Sequence, residues 1–341
     1  MKALAHNLRL VADVGGTHTR IACFDPSSAC LQSVREYENR HYAGFKEVLK
    51  AWFAELQGEQ PVEACIAVAA ALQGDEARMS NISWHLRGTA LAQSFKLQRV
   101  KLINDFQAIA FAVPWLCPDD CVSLQHGAAK PNPSRLAVFG PGTGLGGAVL
   151  EQGLMPSTRF SNQPLTPSSA HRSTKSASVV ACEPGQMDLA PHGELQGALW
   201  AVLQQEHSRI YAELLLSGPG LRRIYAALCI AEGCVAEDLP AAEISARALA
   251  GSDALCVTTL AVFCDLLGAA SANFVVATGT FEALYLAGGI LPKILPLLEH
   301  SSFLERFQER GPLRGHLAGT GIAVIRHPQP GLLGAAHVSL D

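Results

Sequence analysis

Residues 140 to 147 read Gly-Pro-Gly-Thr-Gly-Leu-Gly-Gly, set between the apolar runs 136–139 and 148–150. Each glycine costs conformational entropy on folding, so a run this dense asks for a reason beyond the fold. Successive backbone N–H groups in such a turn make a nest for phosphate oxygens. It is not a Walker-type loop, because no Lys follows the glycines. Gly142, Gly144 and Gly147 do match G-x-G-x-x-G, but a strand pattern follows and residues 152–182 contain no acid, which demotes a dinucleotide site.

The same arrangement occurs near the N-terminus. The apolar run 8–14, the turn Gly15-Gly16-Thr17 and the run 20–24 read as a hairpin. Thr17 adds a hydroxyl donor, and Asp13 on the preceding strand can hold Mg²⁺ through water, since that ion keeps several of its waters. The plainer reading is a glycine hairpin capped by Asp. Strand, glycine turn, strand at two places suggests two duplicated α/β lobes facing one ligand cleft. The first lobe is expected over 1–115, completed by a C-terminal helix 328–341, and the second over 116–327.

Helical spacing predicts helices over 42–56 and 106–113, the latter stopped by Pro114. Strands are expected at 63–70, 100–103, 284–287 and 321–325, with a largely helical stretch over 195–277. Residues 157–178 are rich in Ser, Thr and Pro without apolar period and read as a mobile surface loop at the mouth of the cleft.

With 341 residues, 49% of them apolar and 16% charged, the chain can bury two ordinary cores and does not read as disordered. A net charge of −4 without a long run of one sign leaves no electrostatic footprint for nucleic acid. A nucleotide would be held locally, by backbone N–H groups and a metal. The N-terminal stretch is too short in apolar residues for a signal peptide. The longest apolar region, 254–277, is interrupted by Asp265 and Asn273 and suits a buried helix better than a membrane span. Of ten cysteines, Cys23, Cys65, Cys182, Cys229, Cys256 and Cys264 sit in apolar surroundings, and the close pair Cys117 and Cys121 lacks the second pair a zinc site needs. A reduced, cytoplasmic protein is expected.

Three carboxylates stand out. Asp105, after Asn104 at a strand end, can take the proton of an attacking hydroxyl or can cap the following helix. Glu183 and Glu213 can accept hydrogen bonds from neighbouring hydroxyls of a polyol, or be solvated surface residues.

Taken in order, these pieces resemble the bacterial glucokinase family, within the superfamily of sugar kinases, Hsp70 and actin. Asp13-Val14-Gly15-Gly16-Thr17 is similar to its first phosphate motif, Leu102-Ile103-Asn104-Asp105-Phe106 to the segment with its catalytic Asp, and Gly140-Pro141-Gly142-Thr143-Gly144-Leu145-Gly146 to its second phosphate motif. Leu216-Ser217-Gly218-Pro219-Gly220-Leu221, Tyr285-Leu286-Ala287-Gly288-Gly289-Ile290 and Pro330-Gly331-Leu332-Leu333-Gly334 resemble the later signatures. The resemblance implies a two-lobed, actin-like ATPase (ribonuclease H-like) α/β fold and ATP- and Mg²⁺-dependent phosphorylation of glucose at its 6-hydroxyl, feeding glycolysis, in a homodimer. It implies Asp105 as the general base, and Asn104, Asp105, Glu183, Gln186 and Glu213 as ligands of glucose or a related hexose. Asp13, Gly15, Gly16, Thr17, Gly142, Thr143 and Gly144 would serve the phosphates and metal, and Gly288 and Gly289 the adenosine.

Departures from the family pattern are local. Glu183-Pro184-Gly185-Gln186 replaces Glu-Gly-Gly-His, and Gln329 stands where many relatives carry Asn. Pro184 lacks a backbone donor, which leaves open a sugar-binding relative without turnover or with another hexose as substrate. The Cys-rich zinc motif and helix-turn-helix of the related repressors are absent.

Overall fold

The computed structural model describes residues 8–79, 81–128, 135–151 and 177–340. Its contacts divide into two compact units, Met1–Leu116 with His327–Asp341, and Cys117–Arg326.

The first unit runs β1 (Arg9–Val14), β2 (His18–Asp25), β3 (Cys30–Glu38), α1 (Phe45–Glu55), β4 (Glu63–Val68), β5 (Leu72–Gln73), β6 (Glu76–Arg78), β7 (His85–Arg87), α2 (Gly88–Phe95), β8 (Arg99–Asn104) and α3 (Asp105–Ala112). Its main sheet has the order β3-β2-β1-β4-β8. β1 pairs antiparallel with β2 and parallel with β4, and β4 pairs parallel with β8. Every residue of β4 is buried, as expected of a strand covered on both faces. On one face lie Phe45, Val48, Leu49 and Trp52 of α1. On the other, Leu332, Ala335 and Ala336 of the C-terminal helix (Pro330–His337) pack with Ala108 of α3 and with Val11, Cys65 and Ile103 of the sheet. Arg9 anchors the end of that helix by donating to the carbonyls of Ala336 (2.9 Å) and Val338 (2.7 Å). The last residues of the chain thus complete the first core.

The second unit runs β9 (Cys121–Gln125), β10 (Arg135–Pro141), β11 (Leu145–Glu151), β12 (Ser178–Cys182), α4 (Gly193–Leu203), α5 (Ala212–Leu215), α6 (Gly218–Ala231), α7 (Ala241–Ala250), α8 (Ala254–Thr278), β13 (Ala283–Leu286), α9 (Leu291–Glu299), α10 (Phe303–Gln308), α11 (Arg314–Ala318) and β14 (Gly321–Ile325). The sheet order is β12-β11-β10-β13-β14-β9. Its first five strands repeat the first unit in order and in sense, two antiparallel pairs followed by two parallel ones, and β9 adds an antiparallel edge. The repeated strand–glycine turn–strand pattern in the sequence opens two sheets of like topology.

By length and composition α8 could cross a membrane, but 72% of its most apolar window is buried inside the second unit. Its one acid has partners: Asp265 accepts from Gln196 (2.7 Å), Arg306 (3.0 Å) and Ser302 (3.0 Å). Most of the expected loop 157–178 lies outside the described residues; its last residue, Ser178, opens β12 on the sheet edge.

Candidate functional site

In the first unit the carboxyl ends of β1, β4 and β8 lie level, Val14 pairing with Val68 and Val68 with Asn104. That edge of a parallel sheet is where α/β folds place their ligands. Asp13 sits there half-buried, and among the described residues nothing donates a hydrogen bond to it. Burial holds its carboxyl above the usual range, Arg20 opposite pulls it down, and Glu36 pushes it up. Gly331, in the first turn of the C-terminal helix, closes on it: a Cβ there would lie 2.6 Å from Asp13 Oδ2. A lone carboxylate without protein donors fits a hard cation. No cluster of three or more ligating side chains occurs among the described residues.

The adjoining turn is closed by the Gly15 N–H to His18 carbonyl bond (3.0 Å). A Cβ on Gly16 would meet Asn81 Cβ at 3.3 Å, and Thr17 is exposed. The turn is braced from behind by Asn39, which is 3% exposed. Its Nδ2 donates to Gly15 O (2.8 Å), its Oδ1 accepts from Thr19 Oγ1 (2.7 Å), and its own N–H goes to Thr17 O (2.9 Å). Sequence reasoning missed Asn39. It follows a mostly polar edge strand, and no local pattern marks it as buried.

At the end of β8 the helix cap is Asn104, not Asp105. Asn104 has extended backbone (φ −69°, ψ 150°), whereas Asp105 is already the first helical residue. Asn104 Oδ1 accepts from the N–H groups of Phe106 (2.9 Å) and Gln107 (3.3 Å), and Gln107 Oε1 accepts from the Asn104 N–H (3.1 Å), a complete capping box. Asn104 Nδ2 also donates to Ala70 O (3.3 Å), so the amide retains one N–H for a ligand. Asp105, half-buried in the first turn, accepts from the Phe106 N–H (2.9 Å). A helix N-terminus is a favourable place for its negative charge.

In the second unit three glycine segments converge at the ends of β10 and β13. The Ala287 N–H donates to Phe139 O (2.9 Å) and carries the parallel pairing into the loops. A Cβ on Gly140 would lie 1.8 Å from Ala287 O, and one on Gly288 (φ +101°) 2.1 Å from Pro141 O. Both glycines are required by backbone-on-backbone packing. Gly142 and Gly289 are not: neither has positive φ, and an added Cβ would meet nothing within 4 Å. They keep open space where a ligand can reach the backbone. Thr143 stands exposed between Gly142 and Gly144.

The start of α6 and the segment before it hold this turn. Gly218 N–H donates to Gly142 O (3.0 Å), and Ser217 caps α6 by accepting from the Gly220 N–H (3.0 Å). Glu213 Oε2 accepts from the Leu145 N–H (2.9 Å) and leaves no room for a Cβ on Gly144 (2.4 Å). Burial, and then the charge of Glu213, raise the Glu183 carboxyl above its usual range. So the structure brings Glu183, Glu213 and the second glycine turn together.

Pro184 has a packing role. It opens the 3-10 turn Pro184–Gln186, where a missing donor costs little, and its ring lies over Gly147, where a Cβ would be 2.8 Å from Pro184 Cγ. Gln186 is exposed; Arg209, another residue the sequence reading missed, donates to its carbonyl and pairs with Asp188.

The glucokinase family profile matches residues 10–158 and 165–341. The chain is similar to the glucokinase of Yersinia pestis (strain Pestoides F), 35% identical over 327 residues, covering 96% of this chain and 94% of that protein. It is also similar to the crystal structure of glucokinase from an Antarctic psychrotroph, with a TM-score of 0.78, 31% identity and coverage of 97% and 98%. The structure of Balamuthia mandrillaris glucokinase in complex with glucose shares the fold at a TM-score of 0.78 and 20% identity, covering 98% of this chain and 94% of that one. The repeated sheets are those of the actin-like ATPase fold of sugar kinases, and the chain belongs to the glucokinase family.

Proposed function

We propose that Asp105 is the general base of this ATP-dependent glucose kinase. Its carboxylate takes the proton of the sugar's 6-hydroxyl as that oxygen attacks the γ-phosphorus of ATP. The products are glucose 6-phosphate, which enters glycolysis, and ADP. Phosphoryl transfer needs in-line positioning and dispersal of charge more than covalent help. The observation that supports the assignment is that Asn104, not Asp105, is the cap of α3, and Asp105 sits half-buried beside it at the carboxyl end of the parallel strand β8.

The one remaining N–H of Asn104, the carboxylates of Glu183 and Glu213 and the amide of Gln186 orient the sugar's hydroxyls. The backbone at Gly15, Gly16, Gly142 and Gly144 receives the ATP phosphates, with Thr17 and Thr143 as hydroxyl donors, and the adenosine lies against Gly288 and Gly289. Asp13 is the residue that would hold Mg²⁺ through water, and the bound ion would spread the charge on the transferring phosphoryl group. The family resemblance supports a homodimeric, cytoplasmic enzyme.

The test is an assay of ADP release with glucose, mannose, fructose and N-acetylglucosamine, on wild type and Asp105→Ala. Turnover with glucose that collapses in the variant is expected. Folded protein that binds a sugar and turns over none would place it among non-catalytic relatives.

A further inference from the structure

We propose that Cys229 and Cys234 form a reversible dithiol–disulfide site at the C-terminal end of α6, oxidised by peroxide or by a small-molecule disulfide. α6 ends at Ala231 with Glu232 as its C-cap, and Gly233, with a φ of +70°, turns the chain back on itself. Gly233 N–H donates to Ile230 O (3.0 Å), and Cys234 N–H to Cys229 O (2.9 Å). This crossed pair of bonds closes on a contact between the side chains at its two ends, and here both are cysteines. Adding the Cα–O and N–Cα spans to the 2.9 Å bond keeps the two Cα atoms within roughly 7 Å. A disulfide spans about 4.4–6.8 Å between Cα atoms.

The environments of the two thiols divide the chemistry between them. Cys229 is 1% exposed, and burial, together with the adjoining Cys234 thiol, raises its pKa. Cys234 is exposed. The accessible sulfur meets the oxidant and the buried one resolves the product, the usual order in a redox-sensing pair. With hydrogen peroxide, the Cys234 thiolate attacks one oxygen, the O–O bond breaks and hydroxide leaves, giving a sulfenic acid. The Cys229 sulfur then attacks the Cys234 sulfur, the S–O bond breaks, and the departing hydroxide takes the Cys229 proton as water. Overall two thiols and one peroxide give one disulfide and two waters, and a thiol reductant reverses the result.

Other exposed cysteines lack this geometry. Cys117 and Cys121 flank the 3-10 turn Pro118–Asp120, held by the Cys117 N–H to Asp120 Oδ2 (2.7 Å) and the Asp120 N–H to Cys117 O (3.0 Å). Cys30 donates to Ser28 O (3.3 Å).

The experiment treats the intact protein with a few equivalents of hydrogen peroxide, alkylates free thiols, and digests with a protease that cuts after Glu. Glu232 lies between the two cysteines, so a bridge leaves two peptides joined through Cys229 and Cys234 and separable by reductant. That species is expected, with one pair of thiols lost, and it is absent from Cys234→Ser, a substitution at an exposed position. Free alkylated Cys229 and Cys234 after Cys30 or Cys117 has oxidised would overturn the proposal. So would Cys234 recovered only as sulfinic acid or as a mixed disulfide with Cys229 free.

Discussion

In the first unit the glycine turn after β1 is braced by a buried neutral amide, Asn39, which touches Gly15, Thr17 and Thr19. In the second, the turn after β10 is braced by a carboxylate, Glu213, and by the Gly218 N–H at the start of α6. The strands around the two turns pair in the same order and sense. Two residues before Gly15 stands Asp13, an acid suited to a hydrated cation. Two residues before Gly142 stands Gly140, whose missing side chain makes room for Ala287 O. One corner has become acidic, and the other is built of bare backbone. The bracing differs in consequence as well: Asn39 only supports its turn, whereas Glu213 supports its turn and is also a proposed sugar ligand.

The widest break is expected from the glycines. Gly140→Ala forces a Cβ to within 1.8 Å of a carbonyl oxygen and should cost at least about 3 kcal/mol in a denaturant titration. Gly142→Ala should leave stability within about 0.5 kcal/mol. It should raise the KM for ATP several-fold, because its new methyl enters the open space proposed for phosphate. If both variants are equally stable, the division into fold glycines and ligand glycines fails.

The bracing residues come next. Asn39→Ala leaves Gly15 O without its donor and should cost about 1–3 kcal/mol. Its KM for ATP should rise while its affinity for glucose stays put. Glu213→Gln keeps an oxygen for the Leu145 N–H, so its stability should change by less than about 1 kcal/mol. Its KM should rise for glucose and for ATP together. A rise for glucose alone would separate the sugar ligand from the turn.

The smallest effect concerns pH. Glu183 has its folded pKa raised, by burial first and by Glu213 second. Its contribution to stability is therefore present below the ordinary Glu range and is lost as pH rises through the raised value. Glu183→Gln should be slightly more stable than wild type at neutral pH, by no more than about 1 kcal/mol since solvent screens the exposed carboxylate. Glu213→Gln removes the second cause, so the acid limb of kcat/KM should move to lower pH. Melting curves and pH profiles of the two variants check both signs.

The glycine turns were legible because their composition is costly, and the parallel strands β4, β8, β10, β13 and β14 because their apolar runs are continuous. What the sequence could not convey was which glycine serves what. Gly140 and Gly288 are set by contacts with carbonyls from a distant segment, and Gly142 and Gly289 by the lack of any. Edge strands β3 and β12 escaped notice because their exposed faces mix polar and apolar residues, and β5 to β7 because two or three residues are too few to show a period. Asp105 read equally well as a cap or a base; the backbone at Asn104 shows only that Asn104 is the cap, since adjacent Asn and Asp are both good caps and only φ and ψ tell which is used. Asn39 and Arg209 donate to the backbone carbonyls of Gly15 and Gln186, both distant in sequence, a role without a local signature. Pro184, a mismatch to the family motif, is explained by the space over Gly147.

Asp105→Asn separates a base at Asp105 from the groups that bind the sugar. This near-isosteric change keeps an acceptor for the Phe106 N–H and removes the carboxylate. Steady-state kinetics and calorimetric glucose binding should be measured on the same preparation. A fall in kcat of about 10²- to 10⁴-fold is expected, with the glucose Kd changed only a few-fold. Retained kcat, or a loss of activity matched by a loss of glucose binding, would contradict it.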